Sequence, residues 1–450
     1  MILISRSFFL ASMLLLIFGK LLPFLWDRQE SLLNYGIPLA TLSLVASLFA
    51  RPSDRQRTIT SDVFRPLFVF FGFYFLLWSA KGLLTDLPRV TMLSYLRAFL
   101  GGPFIGLTLA VLLVRTVGRD EQKRFAQRLL LIAAVIMVFQ VAISMAESLR
   151  GESFVDHGEI GMGGLEGRDV LELTGLGLTD RFGFSLPFYG MLGQHNYFGS
   201  MLIGYNALWV AGFLLTNKRH FLALLAFTLL ATLGNSTRTA ILSVLLMDLV
   251  IFVQWIGGAN LIVRSGKLLL IILMIATVLY KIQDRFGDYA VDSNTFDGRL
   301  DLWTAVFQDL GAGMFSPLEW VFGATMEHVS MIGFSWRGIE IGSVENQYLY
   351  MFCFGGVVGL ILFTWAVSAP LILLRRRFSA ETRTVIMGLL LSWLFSFITL
   401  DLHLHFASFV VYVAALFVLG VAADSRATKS ADSAREPGQS GGRSSPLKPV

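Results

Sequence analysis

The sequence predicts an all-α polytopic membrane protein with about 12 transmembrane helices, cytoplasmic ends and two long periplasmic loops. Three observations predict it. The first is composition: 450 residues, 55% hydrophobic and 15% charged, with a mean hydropathy of +0.67, where a soluble domain carries roughly 25% charged residues. The second is the recurrence of apolar runs of roughly 20 residues, the length of a helical span. The third is that basic residues gather in alternate connections between those runs, which is how a membrane chain encodes its orientation.

The runs fall at 8–25, 32–50, 66–84, 98–114, 129–146, 194–216, 220–234, 239–256, 267–282, 347–374, 384–400 and 405–423. The first follows Arg6 and resembles a signal sequence. It lacks a small-residue cleavage site and further spans follow it, so it reads as a retained helix. An even number of spans puts both ends on one side. Arg51, Arg55, Arg57 and Arg65 lie between the second and third spans, and Arg115, Arg119, Lys123, Arg124 and Arg128 between the fourth and fifth. Lys218 with Arg219, Arg264 with Lys267, and Arg375, Arg376, Arg377 with Arg383 occupy later even-numbered connections. The short odd-numbered ones hold only Arg28, Arg89, Arg97 and Arg238. The positive-inside rule therefore makes the ends and the even connections cytoplasmic.

Two long connections then fall outside. Residues 147–193 are glycine-rich and acidic, with Glu147, Glu152, Asp156, Glu159, Glu166, Asp169, Glu172 and Asp180 against Arg150, Arg168 and Arg181. Residues 283–346 mix aromatic and charged side chains, and the apolar spacing from Leu300 to Phe307 predicts short helices within them. The membrane domain ends at residue 423, and 424–450 is Ser-, Gly-, Pro- and Lys/Arg-rich, the composition of a disordered cytoplasmic tail. The single Cys353 excludes an intramolecular disulfide. The net charge of +5 flanks apolar runs and so reports topology rather than nucleic-acid binding.

Chemistry-bearing residues collect on the predicted outer side. His157, His195, His328, His403 and His405 all lie there, and only His220 is cytoplasmic. Arg238 follows a Gly-Asn-Ser-Thr turn and opens the eighth span, where a guanidinium and helix N–H groups together suit a phosphate; an interfacial anchor would look the same. Arg299 stands between Asp297 and Asp301, which either neutralise it or orient it. That Asp-x-x-x-Asp spacing is not the Asp-x-Asp that holds a metal–nucleotide, so no metal is expected. Glu345, beside Asn346, is placed to act as a general base at a partly desolvated boundary, or to be an ordinary helix-start carboxylate. Gly355, Gly356 and Gly359 permit close helix approach. His195-Asn196 is a second candidate for base or substrate orienter. Asp401, His403 and His405 form a short cluster without enough ligands for a metal site. Asp248, near the middle of the eighth span, is the feature that most favours a transporter.

Together these segments resemble the O-antigen ligase/O-antigen polymerase superfamily of bacterial envelope enzymes, multi-span proteins with a large periplasmic loop late in the chain. The family's Ser/Thr-Arg-x-Ala signature is matched by Thr237-Arg238-Thr239-Ala240, and its Gly-Arg-x-x-x-Trp segment by Gly298 to Trp303. Its His/Glu-Asn element with a following Gly-x-x-Gly is matched by Glu345-Asn346 and Gly356 to Gly359, and its (Pro/His)-Asn element by His195-Asn196. The similarity covers about residues 185–400; the first five spans match in hydropathy only. The resemblance implies metal-independent, inverting glycosyl transfer, without a cofactor, from an undecaprenyl-pyrophosphate-linked saccharide at the periplasmic face of the bacterial inner membrane. Arg238 and Arg299 would hold the pyrophosphate, Asn196, Asn346 and Asp301 would contact substrate, and Glu345, His195 or His328 would be the base. Lipid A–core ligases usually carry histidine where this chain has Glu345, so the resemblance implies a polymerase of O-antigen or exopolysaccharide repeat units. A ligase with a lipid A–core acceptor is the alternative, and a transporter of lipid-linked saccharide or another solute is the reading from a different class.

Overall fold

A computed structural model describes residues 1–18, 33–50, 59–150, 188, 195–235, 237–256, 303–304, 307–308, 313, 315–325, 334–336, 339–341, 346–398 and 406–435. Among them the chain is helical, apart from one small antiparallel ribbon. The helices are α1 (Ile2–Phe18), α2 (Leu33–Phe49), α3 (Ile59–Leu84), α4 (Arg89–Thr116), α5 (Arg119–Arg150), α6 (His195–Thr216), α7 (His220–Asn235), α8 (Arg238–Ile256), α9 (Pro317–Phe322), α10 (Gln347–Arg375), α11 (Ala380–Ser396) and α12 (Phe406–Arg435). The ribbon pairs β1 (Phe334–Trp336) with β2 (Ile339–Ile341), Ser335 opposite Glu340. It is a local departure from the all-α expectation inside the second long loop.

Each predicted span falls on one of these helices except 267–282, which lies outside the described residues. Five stretches are long and apolar enough to cross a membrane: Asp62–Leu84, Asp120–Arg150, Phe198–Thr216, Gln347–Arg375 and Ser408–Arg426. The other bundle helices hold shorter apolar stretches, such as Ile2–Leu15 and Leu100–Thr116. A backbone in lipid must bond to itself, and the hydroxyls here follow suit. Thr108, Thr116, Thr228 and Thr364 each donate to the carbonyl four residues back, at 2.7 to 2.9 Å.

The helix that carries the 384–400 run starts at Ala380, where Ser379 and Thr382 pair (3.2 Å) and Arg383 Nε bonds the Phe378 carbonyl at 3.0 Å. One prediction needs correction. The tail expected to be disordered from Asp424 is helical to Arg435; residues 436–450 lie outside the described set. Extending a formed helix needs no new nucleus, and Arg426 anchors the extension through Thr382 Oγ1 (3.0 Å) and the Leu214 carbonyl (3.2 Å).

Packing puts α12 at the centre. It lies against α6, α4, α3, α5 and α10. Gly204 of α6 fits Val411 so closely that a Cβ would sit 2.9 Å from its Cγ1. Trp393 of α11 meets Tyr412 edge to face at 4.7 Å, and the Tyr412 hydroxyl donates to the Val367 carbonyl of α10 at 3.0 Å. At the margin, α1 and α2 are joined by hydroxyls: Ser5 and Ser43 each donate to the other's carbonyl (2.7 and 2.8 Å), and Ser12 to that of Gly36 (2.6 Å). Small residues and hydroxyls are what join helices where lipid removes the hydrophobic drive between them.

These contacts give the bundle two distinct ends. At one, Arg6 meets Thr116 and pairs with Glu121 at 3.5 Å, Arg115 donates to the Ser47 and Leu48 carbonyls, and Arg426 stands over the Phe378 ring. Arg375, Arg376, Arg377 and Arg383 lie at this end too. The candidate site is at the other.

Candidate functional site

The corner that gathers the sequence motifs is built from helix starts. Asn235 closes α7 with its amide on the Phe188 carbonyl (2.6 Å), and the Phe188 amide donates to the Gly234 carbonyl at 3.2 Å. Gly234 is needed because a Cβ would come within 2.4 Å of the Phe188 ring. The chain then turns, Thr237 accepts from the Ile241 amide at 3.0 Å, and α8 begins at Arg238. Phe188, buried at the end of the first long loop, is thus tied to this turn.

The start of α6 fits beneath the same turn. At Gly199 a Cβ would lie 2.7 Å from Asn235 Oδ1 and 2.9 Å from Thr237. Gly199 is about one helical turn on from His195, so the structure brings the His195-Asn196 and Asn235–Arg238 motifs to one corner. From there α8 runs beside α11, where Ser392 Oγ donates to the Ser243 carbonyl at 2.7 Å and Gly388 fits against Val250. The C-terminal end of α11, on the same side as the α8 start, holds the start of α10: the Gln347 amide bonds the Phe397 carbonyl (2.8 Å), and the Tyr348 hydroxyl bonds that of Leu394 (2.9 Å). Asn346 caps α10, its Oδ1 accepting from the Leu349 amide at 3.0 Å. That assigns its carbonyl oxygen a structural task beside the expected substrate contact.

The N-termini of α6, α8 and α10 therefore all face one end of the bundle, opposite the arginine-rich end. Each contributes partial positive charge from its helix dipole. Trp303, which closes the Gly298–Trp303 segment, packs against the hydrophobic core. Arg299, Asp301, His328 and Glu345 lie outside the described residues, as do Asp401, His403 and His405, and of Arg238, His195 and Asn196 the backbone alone is described.

Asp248 is not part of this corner. It lies about 15 Å further along α8 at ~1.5 Å per residue. It is buried, and Oδ1 accepts from Asn206 Nδ2 of α6 at 2.9 Å.

Lys81, in the last turn of α3, belongs to none of the sequence motifs. Its ammonium donates to the Phe354 carbonyl of α10 at 2.9 Å and stands 4.7 Å over the Trp78 ring. Two residues on, α10 is broken at Gly356, which has φ 65° and ψ −168°. Gly355, Gly356 and Gly359 were expected to permit close helix approach; Gly356 does so, meeting the backbone of Val321 and Phe322 at the end of α9 in the second long loop. The signal in the sequence was a lysine next to an aromatic ladder (Phe70, Tyr74, Trp78) ending an apolar run.

No protein-family model matches the chain, and no curated protein matches it.

Proposed function

We propose that the protein is a periplasm-facing membrane glycosyltransferase of the bacterial inner membrane. It would take a saccharide from undecaprenyl pyrophosphate and polymerise O-antigen or exopolysaccharide repeat units, with inversion and without a metal. The observation that carries this reading is the gathering of the α6, α8 and α10 starts, with the Arg238 position, at the end opposite the bundle's arginine clusters. A leaving pyrophosphate needs fixed positive charge in a site from which water is excluded. Three helix N-termini and Arg238 supply it at one corner, and Arg299 is four residues from Trp303, which is docked on the same bundle. The acceptor hydroxyl loses its proton to Glu345, His195 or His328, while Asn196, Asn346 and Asp301 hold the sugars.

The transport reading gains one observation, the break in α10, because interrupted helices line many transport sites. Here, however, the carbonyl of Phe354 is filled by Lys81 and that of Cys353 by the Ala324 amide at 2.7 Å. Each therefore already accepts a hydrogen bond from the protein. Asp248 gives one oxygen to Asn206, while its buried Oδ2 has no hydrogen-bond partner among the described residues, and that oxygen is what still favours transport.

The test is the glycan profile of a deletion strain, with carrier-linked and surface-attached saccharides separated. Loss of long chains with single repeat units remaining supports the polymerase. Long polymer held on the carrier with none transferred means a ligase acting on lipid A–core, and an unchanged profile rejects both in favour of transport.

A further inference from the structure

The stretch Phe315–Thr325 belongs to the second long loop, yet it closes its own polar groups as a segment in lipid must. Ser316 Oγ accepts from the Glu319 amide (3.3 Å), and Glu319 Oε2 accepts from the Ser316 amide and hydroxyl, both at 2.9 Å. Glu319 Oε1 takes the Thr325 amide at 3.1 Å, so one buried carboxylate closes both ends of α9. The Trp320 amide bonds the Ser316 carbonyl (3.1 Å), that of Gly323 bonds Glu319 (2.7 Å), and that of Ala324 crosses to Cys353 (2.7 Å).

The same stretch is seated in the broken helix. A Cβ on Gly356 would lie 2.2 Å from the Val321 carbonyl oxygen, and one on Gly323 (φ 80°) 2.3 Å from the Phe354 carbonyl carbon. Each glycine is where the other backbone passes. Lys81 closes the joint by taking the Phe354 carbonyl, with the Glu319 carboxylate within electrostatic reach.

The outward side of α9 is apolar: Leu318 is 69% exposed, and Trp320, Val321 and Phe322 are exposed beside it. It continues the exposed stripe of Val357, Ile361 and Trp365, which lie one turn apart on α10. At ~1.5 Å per residue, Gly356 is about 28 Å along α10 from Arg375, the outer edge of a hydrocarbon core about 30 Å thick. A tryptophan on a short apolar helix suits that boundary.

We propose that Phe315–Thr325 is a membrane-seated segment of the loop, locked into the α10 break, with Leu318, Val321 and Phe322 in contact with lipid acyl chains. The inference needs no particular reaction, so it stands or falls apart from the proposed function. The test uses the full chain with Cys353→Ala in liposomes and a nitroxide on Leu318→Cys or Val321→Cys, with Lys218→Cys as the aqueous control. Collision with oxygen should exceed collision with a water-soluble nickel chelate several-fold at 318 and 321, and the order should reverse at 218. Free access of the chelate to 318 and 321 would overturn the proposal, and so would shielding from both quenchers, which would mean a protein cover. Gly323→Val or the milder Lys81→Met should raise chelate access at 318; unchanged access in both would overturn the locking role of the joint.

Discussion

Arg238 opens α8 at the corner shared with Gly199 and Asn235, and the proposed role asks for its planar two-donor fork. Arg238→Lys keeps the charge and loses the fork. A strain carrying it should lose most long-chain polymer, and chains of wild-type length would remove Arg238 from the donor site. Gly356 carries a different kind of demand. Its positive φ costs a non-glycine residue about 1–3 kcal/mol, and an added methyl would also strike the Val321 carbonyl. Gly356→Ala should therefore lower the thermal unfolding midpoint in detergent by several degrees. Gly72→Ala, with open space around it on α3, should leave the midpoint unchanged or raise it, and equal effects of the two would contradict the close docking. Asp248→Asn keeps an oxygen acceptor for the Asn206 amide, whereas Asp248→Leu leaves that buried donor only the weak Met247 Sδ contact at 3.4 Å, at a cost of about 1–3 kcal/mol. The same unfolding assay should rank wild type and Asp248→Asn above Asp248→Leu.

Two helices exceed what their apolar runs demand. In α10, hydropathy alone describes one continuous span, and the break at Gly356 becomes visible only once a loop segment occupies it. Glycine pairs such as Gly355-Gly356 serve close helix contact and broken helices equally well, so local sequence leaves the choice open. In α12, the apolar part forms the centre of the bundle, and the polar continuation to Arg435 is held by Arg426 on α6 and α11. Truncation after residue 435 should leave unfolding unchanged. Truncation after residue 423 removes Arg426 and should destabilise the protein measurably; an unchanged midpoint would make the extension dispensable.

For the whole molecule, the contacts sort the helix ends into two sets, and the orientation proposed from the positive-inside rule puts the arginine-rich set in the cytoplasm. An impermeant thiol reagent should reach Lys218→Cys, on a Cys353→Ala background, only after permeabilisation of the inner membrane; labelling in spheroplasts with that membrane intact would invert the orientation. Transfer activity of the purified protein should survive EDTA at fixed ionic strength, and its abolition would restore a metal site. The sequence alone determined the helical class, the positions of the apolar spans and the alternation of basic connections, because hydrophobic length and flanking charge are local properties that a bilayer reads directly. It also marked the His195-Asn196, Arg238 and Glu345-Asn346 segments, since polar residues at helix starts stand out against apolar runs. It left their meeting open. That the α6 start fits under the 235–237 turn, that Lys81 reaches the Phe354 carbonyl, and that α12 lies at the centre depend on close approach between residues far apart in the chain. Only the tertiary structure decides those contacts, because in lipid helices associate through small residues and satisfied polar groups, which hydropathy does not record.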